Sequence, residues 1–162
     1  TRTTSSAASD VYKRQEIATL ALGCFWGPEI KFSKLDGVIN TEVGYCGGNT
    51  EKTSYKEVCY GDTNHAEVVK VEFDNTKISY EEIIRNFFEF HDPTTLNRQG
   101  PDVGTQYRSE IFVHDENQNK IANKVLKEIN EKFKGKIVTK ISKSKNYNKA
   151  EDYHQKYLEK SF

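Results

Sequence analysis

A short, almost fully apolar run at residues 17–22 (IATLAL) restricts the fold of this chain more than any other feature. Runs of this kind are typical of a strand that is covered on both faces, so the run is predicted to lie in the centre of a sheet. Gly23 and Cys24 follow directly, and residues 25–35 are then predicted to form a helix. Pro28 is acceptable in its first turn, where a missing N–H costs little.

Two strand–helix–strand units follow from the pattern of apolar residues. Alternation predicts strands at residues 39–45 and 67–73, and Ser79 with Glu82 forms a capping box that opens an amphipathic helix. Another strand is predicted at residues 109–113. This order indicates an α+β fold with a ferredoxin-like split βαβ core, a mixed sheet and helices packed on it. The remaining predicted elements, in a loop-rich C-terminal part, are a helix at 122–133, a strand at 137–141 and a short helix at 151–158.

The 162 residues suit one domain, which we expect to span residues 16–162 as a single catalytic unit. Residues 1–15 are polar and aperiodic and lack the apolar stretch of a secretory signal, so we interpret them as a disordered or non-native lead-in. A transit peptide is the alternative, and the default location is the cytoplasm.

Charge is balanced at 24 basic and 24 acidic residues, which gives no electrostatic reason to expect nucleic acid as a partner. No apolar run nears the ~18 residues of a membrane span, so a membrane is not an expected partner either.

The three cysteines are Cys24, Cys46 and Cys59, an odd number without a CxxC pair, which favours a reducing compartment. Cys24 lies at a predicted helix N-terminus, where the helix dipole stabilises a thiolate and lowers the thiol pKa. The alternative is a buried structural cysteine. Phe25 and Trp26, the latter the single tryptophan of the chain, could line an apolar pocket for a methyl group beside this thiol, or could simply pack in the core.

Glu67 has the same parity as Val69 and Val71, so its side chain is predicted to face the apolar side of its strand. A carboxyl group there is desolvated, and a raised pKa would let it act as a general acid. The alternative is a carboxylate that reaches solvent at the strand end. The segment 65–67 (HAE) also matches half of a zinc deaminase signature, but the downstream Pro-Cys-x-x-Cys is missing, so no metal site is predicted.

A series of short motifs runs through the chain. It starts with GCFWG at residues 23–27 and continues through residues 43–45, 47–48, 55–59 (YKEVC), 65–69 (HAEVV), 91–94 (HDPT), 104–109 (GTQYRS) and 150–155 (AEDYHQ). In their order and spacing, over about residues 17–158, these motifs resemble the type A peptide methionine sulfoxide reductases. The resemblance implies reduction of the S epimer of methionine sulfoxide, peptide-bound and free, with a sulfenic acid formed on Cys24 and the methyl group held by Phe25 and Trp26.

Further roles rest on the resemblance. Glu67 would protonate the sulfoxide oxygen, Tyr55 and Tyr107 would hydrogen-bond it, and Asp102 would support the polar side of the site. His154 is expected near these residues. The resemblance implies no metal or organic cofactor, an external thiol reductant of the thioredoxin type, oxidised proteins or peptides as substrates, and a monomer.

Many members of that family regenerate the nucleophile with resolving cysteines near the C-terminus, and no cysteine follows Cys59 in this sequence. Two alternatives follow: the tail is truncated, or another thiol resolves the intermediate. We hypothesise that Cys46, in what we interpret as a flexible Gly-Gly loop, is the resolving thiol, and we interpret Cys59 as structural. Other functions are a peroxide sensor that uses Cys24, a thiol-disulfide oxidoreductase and an inactive module that binds oxidised peptides. The aromatic pair beside Cys24 argues against the sensor, and the lack of CxxC argues against the oxidoreductase.

Overall fold

A six-stranded mixed sheet organises the computed structural model, which describes residues 15–60 and 63–160. The strands are β1 (Gln15–Leu22), β2 (Val38–Cys46), β3 (Ala66–Asp74), β4 (Arg98–Gln99), β5 (Asp102–Val103), β6 (Ser109–Val113), β7 (Lys140–Lys143) and β8 (Asn148–Lys149). The helices are α1 (Trp26–Ser33), α2 (Tyr55–Cys59), α3 (Tyr80–Glu89), α4 (Glu116–Lys132) and α5 (Tyr157–Lys160), with a 3-10 turn at Thr105–Tyr107.

The strand order is β7-β6-β1-β3-β2-β8, which puts the apolar strand β1 inside the sheet as predicted. Strand β1 pairs antiparallel with β3 and with β6, and β3 pairs antiparallel with β2. The units β1-α1-β2 and β3-α3-β6 therefore interleave, which is the split βαβ arrangement. Strand β7 adds to β6 in parallel, so the predicted mixed sheet is confirmed.

The two faces of the sheet carry separate apolar clusters. Leu20 and Leu22 belong to the main core, whereas Ala21 between them belongs to a smaller cluster on the other face. The main core also contains helix α3, which begins with the predicted capping box of Ser79 and Glu82. The smaller cluster consists of Ala21, Cys46, Ala66, Val68 and Phe112, with Tyr147 packed against it.

Several boundaries differ from the sequence prediction. Helix α4 begins at Glu116, six residues before the predicted start at 122, and α1 spans Trp26–Ser33 rather than 25–35. Strand β1 begins at Gln15, the last residue of the predicted lead-in, and residues 1–14 lie outside the described residues. Strand β7 occupies Lys140–Lys143 rather than 137–141, and the final helix is only Tyr157–Lys160, after a series of turns. None of the helices in the described part of the chain is long and apolar enough to cross a membrane.

The packing of α3 in the main core can be tested at Ile84, because its side chain is fully buried there. We expect Ile84→Ala to lower the free energy of unfolding by about 2–5 kcal/mol, since it leaves a cavity in the main core. Urea unfolding measures this change. Glu89→Ala, on the exposed side of the same helix, is the control, and an equal loss in both variants would contradict the assignment of the buried face.

Candidate active site

Gly23 fixes the position of Cys24 at the junction of β1 and α1. The backbone of Gly23 has a φ of +96°, and a Cβ there would lie 2.7 Å from Cβ of Gln99. Any other residue would be strained and would also collide with the β4 region. The chain therefore turns sharply after the buried strand, and it presents the half-buried Cys24 immediately before the first turn of α1.

Burial controls the charge state of the Cys24 thiol. A hydrogen bond from the backbone N–H of Trp26 favours the thiolate, but desolvation is the larger effect, and the negative charges of Glu67 and Asp102 add to it. Together they raise the pKa of Cys24 to about 11. The predicted lowering of this pKa by the helix dipole is therefore wrong, because the loss of water outweighs the helix N-terminus. At neutral pH the resting thiol keeps its proton.

Glu67 lies in β3 opposite Tyr45 of β2, and its side chain is 1% exposed. Its Oε1 accepts a hydrogen bond of 3.3 Å from the backbone N–H of Phe25, whereas Oε2 has no partner among the described residues. Desolvation raises the pKa of Glu67 to about 8, with a further contribution from the charge of Asp102 and an opposing one from the Phe25 N–H. The parity argument thus placed Glu67 on the correct face.

Two tyrosines complete the polar side of the site. Tyr107 ends the 3-10 turn, and desolvation followed by the charge of Glu67 raises its pKa to about 12, with Cys24 and Asp102 also contributing. Burial likewise raises the pKa of Tyr55, the first residue of α2, and Glu67 and Tyr107 are again among its neighbours. Both phenols therefore remain hydrogen-bond donors, and the polar residues predicted for the site lie close together.

Aromatic rings form the other side. The indole Nε1–H of Trp26 donates a 3.1 Å hydrogen bond to Nδ1 of the buried His154, and the indole stacks on Tyr157 at 4.0 Å between ring centroids. Phe25 is 1% exposed and lies 5.2 Å from the His154 ring, and Tyr55 lies 4.4 Å from it. His154 therefore joins the two predicted pocket residues to the tyrosine side.

Glu151 belongs to the site but was missed by physical reasoning from the sequence. Its Oε1 accepts from the hydroxyl of Tyr45 at 2.9 Å, and its Oε2 accepts from the backbone N–H of Tyr55 at 3.0 Å. These partners are 106 and 96 residues away in the chain, so no local pattern reveals them. Only the AEDYHQ segment of the family resemblance pointed to this region.

Cys46 is not brought to the site. It is the last residue of β2 rather than a loop residue, it is fully buried, and it shares a cluster with Ala66 and Val68 on the face opposite Glu67. Its thiol donates to the carbonyl oxygen of Lys145 at 3.4 Å. The interpretation of Cys46 as a flexible loop residue is therefore wrong, and its position gives no support to a resolving role.

The comparison with known proteins decides the family. The family model described as "peptide methionine sulfoxide reductase" matches residues 16–162. The chain belongs to this reductase family. A peptide methionine sulfoxide reductase MsrA of Pelagibacter ubique is 66% identical over 145 residues, which cover 90% of this chain and 99% of that protein. A second one, from Methanothermobacter thermautotrophicus, is 50% identical over 91% of this chain and 89% of its own length.

Solved structures of the reductase family agree with the fold. The reduced form of Mxr1 from Saccharomyces cerevisiae is 44% identical, with a TM-score of 0.87 over 91% of this chain and 86% of that chain. Methionine sulfoxide reductase A of Corynebacterium diphtheriae is 37% identical, with a TM-score of 0.80 over 91% and 75%. Reduction of peptide methionine sulfoxide is accordingly the activity of this chain. Within residues 15–60 and 63–160, no group of three or more His, Cys, Asp or Glu side chains could hold a metal ion.

The raised pKa of Glu67 predicts how the stability of this reductase depends on pH. Between the ordinary value of 4.5 and the folded value of about 8, the folded protein holds one more proton than the unfolded chain. This contribution is therefore fully present below about 4.5 and is lost as the pH rises through about 8. Glu67→Gln removes the titration, so we expect its stability relative to the wild type to increase with pH across this range.

Urea unfolding at a series of pH values measures the difference. Glu89→Gln, at an exposed position of α3, is the matched control and should follow the wild type. Parallel curves for Glu67→Gln and wild type would show that the Glu67 pKa is not raised.

Proposed function

We propose that this reductase acts on the S epimer of methionine sulfoxide, with Cys24 as nucleophile and Glu67 as general acid. The proposal rests on the hydrogen bonding and the protonation of the Glu67 carboxyl group. One carboxyl oxygen is held by the Phe25 N–H, the other has no partner among the described residues, and a pKa of about 8 keeps the group protonated at neutral pH. A proton donor with a free oxygen beside a thiol is what sulfoxide reduction requires, since the oxygen is a poor leaving group until it is protonated.

The reaction balances without an added cofactor. The Cys24 sulfur attacks the sulfoxide sulfur while Glu67 gives its proton to the sulfoxide oxygen. The resulting hydroxyl passes from the substrate sulfur to the Cys24 sulfur, the substrate's sulfur–oxygen bond and the transient sulfur–sulfur bond break, and the thioether leaves as methionine. The proton of the Cys24 thiol restores Glu67. Substrate sulfur is reduced, and Cys24 is oxidised to a sulfenic acid. Protonation of the substrate also supplies the positive charge that draws the proton from a thiol with a resting pKa of about 11.

The remaining residues orient the substrate. The hydroxyls of Tyr55 and Tyr107, kept protonated by burial, donate to the sulfoxide oxygen, and Asp102 supports this polar side. Phe25 and Trp26 hold the methyl group on the apolar side. Two fixed substituents on a pyramidal sulfur leave one epimer with its reactive face towards Cys24, which is the basis of the proposed S selectivity.

An external dithiol returns the enzyme to its reduced state. A solved structure of Mxr1 from S. cerevisiae in complex with Trx2 is 29% identical to this chain, with a TM-score of 0.65 over 90% of this chain. On this basis we propose a thioredoxin-like reductant, for a monomeric enzyme in the cytoplasm whose catalytic domain spans residues 16–162. It acts on oxidised proteins or peptides and on free methionine sulfoxide, and it uses no metal or organic cofactor.

A peroxide sensor is the less well supported function. Sensor cysteines react as thiolates and are accessible to solvent. Cys24 is half-buried with a raised pKa, and it lies beside a protonated acid that a sensor does not need.

Racemic N-acetylated methionine sulfoxide with excess dithiothreitol tests the proposal. We expect the wild type to consume only the S epimer, measured by chiral chromatography, because the methyl pocket and the oxygen donors fix the sulfur. Cys24→Ser should abolish the reaction, and Glu67→Gln should slow it by roughly 10²–10⁴-fold.

Cys46→Ser is the control, since Cys46 lies on the other face of the sheet, and it should retain activity. Consumption of both epimers, or undiminished activity in Cys24→Ser, would contradict the proposed mechanism.

The tyrosine hydroxyls give a second test. We expect Tyr55→Phe and Tyr107→Phe each to lower kcat/KM by roughly 10²-fold, because each removes one donor to the developing charge on the oxygen. Tyr147→Phe is the control, because Tyr147 packs on the opposite face and hydrogen-bonds Glu42. Steady-state assays measure the effect, and a normal kcat/KM in both site variants would remove the tyrosines from the mechanism.

A further inference from the structure

Oxygen transfer leaves a hydroxyl group on Cys24 that a second thiol must remove. The sequence contains two other cysteines, and both are free thiols. Cys46 is buried on the far face of the sheet, whereas Cys59 is exposed at the last position of α2. Because the Cys59 thiol is exposed and free, it is accessible to a reaction partner. Its exposure therefore does not support the interpretation of Cys59 as a structural residue.

The geometry of α2 turns Cys59 towards the active site. Residues four apart lie on the same face of a helix, so Cys59 shares a face with Tyr55. Tyr55 faces the site, with its backbone N–H held by Glu151 and its ring against His154. Val58, in contrast, is buried in the main core. The Cys59 thiol and the Tyr55 hydroxyl also lie close enough to shift each other's pKa, and the Tyr55 hydroxyl is one of the two groups proposed to hold the substrate oxygen.

Tyr107 lies near both the Cys24 and the Cys59 thiol. Its hydroxyl lies within electrostatic range of both Cys24 and Cys59, as well as of Glu67. Cys59 also interacts with Glu67 directly. The two thiols therefore share two electrostatic neighbours, Tyr107 and Glu67.

Disulfide formation would require α2 to move. A disulfide needs the two Cα atoms within about 7 Å, so the end of α2 has to shift towards Cys24. The helix has only five residues, capped at one end by the side chain of Ser54, and helices of this length have little stability of their own. Its last turn, which ends at Cys59 and is followed by the exposed Tyr60, can therefore unwind at small cost.

We propose that Cys59 is the resolving thiol of this enzyme. This inference rests on the proposed function, because it starts from the sulfenic acid on Cys24. The Cys59 sulfur attacks the Cys24 sulfur, the sulfur–oxygen bond breaks, and a Cys24–Cys59 disulfide forms with release of water. The thiol proton of Cys59 leaves in that water. An external dithiol of the thioredoxin class then reduces the disulfide and is itself oxidised.

One turnover without reductant tests the inference. Wild type, Cys59→Ser and Cys46→Ser are each mixed with one equivalent of a peptide containing methionine sulfoxide. Methionine formed, free thiols remaining and peptide maps with dimedone labelling are then measured. We expect wild type and Cys46→Ser to lose two thiols per methionine and to give a Cys24–Cys59 disulfide. Cys59→Ser should form as much methionine, lose one thiol and carry the dimedone label on Cys24.

The outcomes separate this inference from the proposed function. Full methionine formation by the wild type without a Cys24–Cys59 disulfide would overturn the resolving role alone. A disulfide that persists in Cys59→Ser and disappears in Cys46→Ser would also overturn it. Absence of methionine from the wild type would overturn the proposed function and this inference together. With a thioredoxin-like reductant, Cys59→Ser should turn over at least 10-fold more slowly than wild type, although its single-turnover methionine yield is unchanged.

Discussion

The desolvated carboxyl group of Glu67 is the constraint on which the active site depends. Taking an acid out of water favours its neutral form, and among the residues that the structure describes, Glu67 receives one hydrogen bond in compensation, from the backbone N–H of Phe25. Strand β3 holds the group between β1 and β2, opposite the fully buried Tyr45, and the Glu67 side chain is itself almost completely removed from solvent. The same exclusion of water is the largest cause of the raised pKa values of the Cys24 thiol and of the Tyr55 and Tyr107 hydroxyls, so one physical cause acts on the acid, the thiol and both phenols.

The C-terminal part stabilises this arrangement without regular secondary structure. The side-chain amide of Gln155 makes two hydrogen bonds to the backbone of Val43, as a paired strand would. Its oxygen accepts from the Val43 N–H, and its nitrogen donates to the Val43 carbonyl oxygen. The backbone N–H of Lys156 donates to the buried Glu29 of α1 at 2.6 Å. With Glu151 and His154, these bonds attach a loop-rich segment to both β2 and α1, and so position the aromatic side of the site.

Local patterns in the sequence predicted the framework well. The unbroken apolar run predicted strand β1, and the Ser79–Glu82 capping box predicted the start of helix α3. The alternation along β3 predicted that the Glu67 side chain faces the core. Properties that depend on distant residues were not predictable in the same way. The pKa of Cys24 depends on how much water the folded chain excludes, and the Gly-Gly pair after Cys46 suggested a loop where the strand in fact continues through the cysteine. The role of Glu151 could be recognised only in the folded chain, because its hydrogen-bond partners are 96 and 106 residues away in the sequence.

The hydrogen bond between Trp26 and His154 joins residues 128 positions apart, and it has a consequence for the order in which the enzyme matures. During synthesis, Cys24 emerges from the ribosome long before the segment that encloses its aromatic neighbours. Until that segment docks, the Trp26 indole lacks both its hydrogen-bond acceptor, His154, and the Tyr157 ring that stacks on it. The nascent chain therefore exposes the Cys24 thiol before residues 151–157 complete the aromatic side of the site.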